Sequence, residues 1–263
     1  MALKGSFVAS LKLVLFSSHG KGVSKMRLLS IDSNAKLAKT NKVAGAGHIY
    51  AGLSLMPDNR LCGGAKSAGC MAGCLKSAGR GAFSNVAAAR QAKSDWFHSD
   101  PGTFIVQLVK DLEALVRKAA KEGKRARVRL NVLSDVAWES ETCWRAGKLY
   151  AGIPQAFPEI QFYDYTKRAS RIGNVPTNYS LTFSYSGVSS YANQVKLAAA
   201  RNANMAVVFH VKKGQELPKL WHGKVVIDGD LHDARTDDPV GIIVGLRAKG
   251  QAIKDTSGFV VSV

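Results

Sequence analysis

Seven short apolar runs recur along this chain, and stretches able to form helices separate several of them. The runs are residues 48–57, 127–135, 160–166, 178–186, 204–211, 224–230 and 241–248. They favour the β-branched and aromatic residues that suit a pleated, half-buried surface. Between the first and second run, Ser84 opens a helix that runs toward Trp96. A stronger helix follows, with Asp100 as N-cap and Pro101 as first residue. Phe104, Ile105, Leu108, Val109, Leu112, Leu115, Val116 and Ala119 then recur at helical spacing until Gly123. Residues 190–202 form a third helical stretch. Strands alternating with helices need crossover connections, and these give a mostly parallel sheet. The expected fold is α/β: a partial or closed β/α barrel, TIM-barrel-like, over residues 34–263 as one domain.

Residues 1–33 are set apart as an N-terminal extension. Their short apolar stretch is interrupted by Ser10 and Lys12, and Met26 opens a segment that reads like a natural beginning. No segment reaches the roughly 18–20 apolar residues of a membrane span.

In barrels and open parallel sheets, chemistry gathers at the C-terminal ends of the strands. The loop after the first predicted strand carries three of the four cysteines, Cys62, Cys70 and Cys74, in the stretch CGGAKSAGCMAGC. Its C-x7-C-x3-C spacing is filled with Gly, Ala and Ser, small enough to wrap an inorganic core. Three local thiolates suit an iron–sulfur cluster with one iron left open. Zinc is the alternative, with Cys143, His48 or His98 completing a tetrahedron.

Other polar residues fall at predicted strand ends. Asp135 and Asp164 are the candidate catalytic carboxylates, as acid–base groups. Ser134, Ser184, Asp228 and Asp230 are candidate cofactor-binding groups. The segment VIDGDLHDARTDD adds Asp233, Asp237 and Asp238 around His232, a set able to hold a divalent cation or to form a polar turn.

The charge points to a partner. Lys and Arg number 37 against 19 Asp and Glu, a net charge of +18. Such an excess suits a polyanion, most simply DNA or RNA. Arg125, Arg127 and Lys167 are the expected phosphate contacts, and Arg247 and Lys249 could join them.

A cysteine trio directly after the first strand of a β/α barrel resembles the radical SAM enzymes, although the spacing here is longer than their C-x3-C-x2-C. That resemblance implies a four-iron cluster on Cys62, Cys70 and Cys74, with S-adenosylmethionine bound at the open iron. From about Asn34 onward the chain also resembles a family of bacteriophage and plasmid proteins. The matching stretches include NAKLAKTNK, CLKSAGRGAFSNVAAAR, VRLNVLSDVAWE, FPEIQFYDYTKR, NYSLTFSYS and VIDGDLHDARTDDPVGIIVGLRAKG. This resemblance implies a mobile-element origin and a cytoplasmic site, and leaves the reaction open. Two further functions fit the residues. One is a zinc-bearing nucleobase transglycosylase using Asp135 and Asp164. The other is a non-catalytic nucleic-acid-binding protein stapled by a cysteine–metal site.

Overall fold

The structure, a computed structural model, describes residues 26–31, 34–77 and 79–263. Strand β1 (Leu29–Ser30) leads to helix α1 (Ala35–Ala44), which Asn34 caps by accepting from the amides of Lys36 and Leu37. Strand β2 (His48–Leu53) is followed by the cysteine loop and two long helices, α2 (Ser84–Ser99) and α3 (Pro101–Lys121). Asp100 caps α3 by accepting from the Thr103 amide, and Gly123 takes up a φ of 63° just beyond its end. Strand β3 (Arg125–Arg129), the hairpin β4 (Cys143–Arg145) and β5 (Lys148–Tyr150), and the short helix α4 (Ile153–Ala156) come next. The remaining elements are β6 (Gln161–Thr166), β7 (Tyr179–Ser184), α5 (Ala192–Ala200), β8 (Met205–Phe209), β9 (Leu220–Trp221), β10 (Lys224–Asp228), β11 (Ile243–Arg247) and β12 (Val260–Val261).

Ten strands form one sheet, in the order β1-β2-β3-β6-β7-β8-β11-β10-β9, with β12 alongside β8. The strands from β2 to β10 along this order run parallel; β1 and β9 are antiparallel at the two edges. The expected parallel α/β sheet is therefore present. The edge strands β1 and β9 do not pair with each other, so no closed barrel forms among the described residues. Two predicted strands are also shorter than expected. The run from 48 stops at Leu53 and the run from 127 stops at Arg129, where the chain turns into the loops that carry the polar residues.

Strand alternation divides the sheet into two faces. Ile49, Ala51, Ala126, Val128 and Phe162 pack with α3, and Phe183, Met205 and Val207 pack near Ala198 of α5. The opposite face carries Tyr50, Tyr163, Ala206 and Val244. It is covered by α1 and by the segment after β10, through Leu37 and Ala234. Asn41 of α1 pairs with both the amide and the carbonyl of Tyr50, occupying the β2 edge beyond the reach of β1. Within the stretch predicted as an extension, Leu28 and Leu29 are buried, and Leu29 pairs with Leu53; residues 1–25 lie outside the described residues.

Candidate functional site

A cavity of about 1350 Å³ opens at the C-terminal ends of the parallel strands. Cys62, Cys70 and Cys74 all line it. Their loop is fixed at its start by Asp58, which accepts from the amides of Arg60 and Leu61 and meets His98 Nε2 at 2.7 Å. Ser186 and Ser190 hold its middle by donating to the carbonyls of Ala68 and Ser67. Gly64 lets the loop press against β6, since a Cβ there would come within 2.7 Å of Lys167 Cβ. The Cys62 thiol donates to the Leu133 carbonyl. Burial, with Asp135, Cys70 and Cys74 adding negative charge nearby, pushes it up to about 12. Burial raises Cys70 as well, opposed by the Lys167 ammonium.

The candidate zinc partners lie elsewhere. Cys143 is buried in the core beside α3, His48 lines a smaller cavity at the opposite strand ends, and His98 is held by Asp58. Among the described residues no three His, Cys, Asp or Glu side chains form a metal-holding group, and this holds for Cys62, Cys70 and Cys74 as well as for the aspartates after β10. Each of those has a cationic partner instead: Asp233 takes Lys36 and Arg129, Asp237 takes Arg127, and Asp238 takes Arg235.

The other predicted residues separate. Ser134, Asp135, Lys167, Ser184 and Asp230 line the cavity with the cysteines. Asp228 stands just behind, bonded to Arg247 at 2.8 Å. Asp135 is clamped: Arg171 holds one oxygen at 2.6 Å and the Lys167 amide the other at 2.9 Å. Asp164 is not in the cavity wall. It lies under the sheet end, receiving the Asn131 amide, the Asn131 side chain and the Tyr179 hydroxyl, and burial pushes it up to about 7. Ser134 donates to Asn131 Oδ1 in the same network. The two carboxylates proposed as a pair thus do not face one space, because β3 ends early and Asn131 folds back over Asp164.

Lys167 sits between the rings of Tyr191 and Phe259, its Nζ donating to the carbonyls of Ser184 and Tyr185. Burial lowers it to about 8. Arg125 and Arg127 lie at the other ends of the strands, beside His48, and Arg127 is tied to Asp237 and Tyr50. These two predicted phosphate contacts therefore do not meet Lys167. Arg129, from the same basic run as Arg125 and Arg127, does line the cavity, as do Lys36 and Lys39, which sequence reasoning does not single out. A signal was available in the N-capped NAKLAKTNK helix, whose lysines recur on one side.

A family profile described as Gene product 88 matches residues 27–263. The chain belongs to the Gene product 88 family. That membership supports the phage-type origin and spans the whole described sheet. No curated protein and no solved structure matches the chain significantly. No helix among the described residues is long and apolar enough to cross a membrane.

The ion pairs of this Gene product 88 member give one pH prediction. Burial alone would raise Asp233, yet Arg129 and Lys36 outweigh it and hold the carboxyl near 2. A depressed carboxylate stabilises the fold above its unfolded value and loses that contribution as the pH falls toward 2. Between about pH 4 and pH 2, roughly 2 kcal/mol should be lost on this account. Urea denaturation across that range is expected to show the decline in the wild type and a shallower one in Asp233→Asn.

Proposed function

We propose that this chain is a phage-type iron–sulfur protein of radical-SAM-like design that acts on or binds nucleic acid. The observation that supports the reading is that Cys62, Cys70 and Cys74 all line one cavity at the C-terminal ends of a parallel sheet, although their thiols are not gathered into one metal-holding group in this structure. The donor set suits the group in kind, with three half-buried thiols on a pliable Gly-rich loop and none in a disulfide. Those three residues would hold the cluster, leaving one iron without a protein ligand. The chemistry such a cluster would supply, when bound by Cys62, Cys70 and Cys74, is one-electron reduction of S-adenosylmethionine.

The chain's own residues would shape the space around it. Asp135, fixed by Arg171, puts a carboxylate in the wall beside the thiols. Lys167 places an ammonium close enough to favour the Cys70 thiolate. Phe259, Val208 and Leu246 supply apolar surface within the same cavity. Basic side chains such as Arg90 and Lys93 add positive charge without a carboxylate partner within 4.0 Å among the described residues, which suits a polyanionic substrate.

Anaerobic purification with iron, sulfide and zinc analysis tests this. The expected result is a brown protein with about four irons per chain, the content of one cubane cluster. Cys143→Ala should keep that content, because Cys143 lies in the core and not in the cavity. One zinc and no iron, or loss of metal in Cys143→Ala, would overturn the open-iron reading.

A further inference from the structure

Arg127 and Arg235, outside the cavity, each pair with one aspartate of the segment after β10. The cavity wall built on that segment is different. Asp233 receives both Lys36, at 2.8 Å, and Arg129, at 2.6 Å. Asp230 receives Arg247 and Lys249, and Lys39 bonds to its main-chain carbonyl at 2.8 Å. Asp228 only shares Arg247. Arg129 Nε also lies 3.8 Å from Asp164, so five cations meet four carboxylates, one of which, Asp164, burial pushes up to about 7. Tyr165 lies among them, with the Arg129 guanidinium 4.5 Å and the Lys36 ammonium 5.7 Å from its ring centre. Arg129 Nε and the Tyr165 hydroxyl have no hydrogen-bond partner among the described residues.

We infer that the wall of Lys36, Lys39, Arg129, Arg247 and Lys249 is a binding site for the phosphate of a nucleotide, whose remainder occupies the cavity shared with the cysteines. The inference rests on the nucleic-acid half of the reading above and not on the cluster. A phosphate monoester carries about −1.5 to −2 at neutral pH, opposite in sign to the cationic excess of the wall. Lysines supply point charges and arginine a planar fork, and both are effective toward phosphate oxygens. Mutual repulsion is visible without the anion: after burial, the pull of Asp233 on Lys36 is opposed by Arg129 and Lys249, and its ammonium is held below the usual lysine range. The cavity is far larger than one phosphate needs, so a base and sugar fit beside it. The phosphate contacts thereby move from Arg125 and Arg127, at the opposite strand ends, to the loop ends of the same sheet.

Inorganic phosphate, a 5′-mononucleotide and a short 5′-phosphorylated single-stranded DNA are titrated calorimetrically at low salt onto the full chain. The mononucleotide is expected to bind and to be displaced by inorganic phosphate. Lys39→Gln combined with Lys249→Gln alters only exposed side chains and should weaken binding roughly tenfold or more, as the loss of charge-assisted bonds implies. Lys110→Gln, on α3 across the sheet, should leave it unchanged. Equal affinity for mononucleotide and DNA would identify a free nucleotide as ligand. Tighter DNA binding with a steeper salt dependence would identify a strand end. An absence of mononucleotide binding, or a double variant that binds like the wild type, would overturn the inference. The same titration on the anaerobically purified wild type separates the two readings: mononucleotide binding by a chain that holds no iron leaves this site standing and removes only the cluster.

Discussion

Cys70→Ala is expected to leave the chain folded and strip it of iron. The thiol lines the cavity beside Ala252 and Phe259. Truncating it removes one atom, and the cost to stability should be about 1 kcal/mol, the ordinary range for a point substitution. The loss of metal should be complete. Cys143 is buried against α3 and cannot come to the loop without dismantling the core, and His98 is engaged with Asp58 at 2.7 Å. No nearby side chain replaces the missing thiolate. Iron and sulfide content measured beside the thermal midpoint makes the test. A Cys70→Ala protein that keeps the iron of the wild type would show that this thiol is not a ligand.

Arg171→Met is expected to cost the most stability of any single change near the site. Arg171 is 6% exposed, and its guanidinium meets Asp135 at 2.6 Å. It also makes two bonds to Glu139, at 2.7 and 2.8 Å, and one to the Tyr179 hydroxyl. Burial works against its charge, but Glu139 and Asp135 outweigh it and hold it firmly protonated. Removing one member of a buried ion pair leaves its partner charged and unsatisfied, at about 3–5 kcal/mol. Here two carboxylates are left. The urea midpoint should fall accordingly, with the slope unchanged. Lysine should rescue little, because it cannot reproduce the paired bonds to Glu139. A variant within 1 kcal/mol of the wild type, well under the usual cost of breaking such a pair, would mean that Asp135 and Glu139 are already neutral or hydrated. Asp135 could then no longer be regarded as fixed in the cavity wall by Arg171.

Several features near the site were legible from local signals. Asp100, Pro101, the apolar period and Gly123 mark α3 without reference to any other part of the chain. The runs at 160–166, 178–186 and 204–211 coincide with β6, β7 and β8 because strands buried on both faces read as continuous apolar segments. The short pairings were not legible. Strands β1, β9 and β12 have two residues each, too few to show a period, and tertiary contacts alone make them strands.

By itself the sequence determined a parallel α/β sheet and a three-cysteine loop at the end of its first long strand, since periodicity, capping and spacing are properties of neighbouring residues. Which side chains share the cavity was decided only by tertiary structure. Arg129 and Asp233 are 104 positions apart, and Lys39 and Asp230 are 191 apart. No local pattern specifies such partners. They meet because α1 and the segment after β10 cover the same face of the sheet, and that packing set Asp164 beneath the floor and Asp135 in the wall.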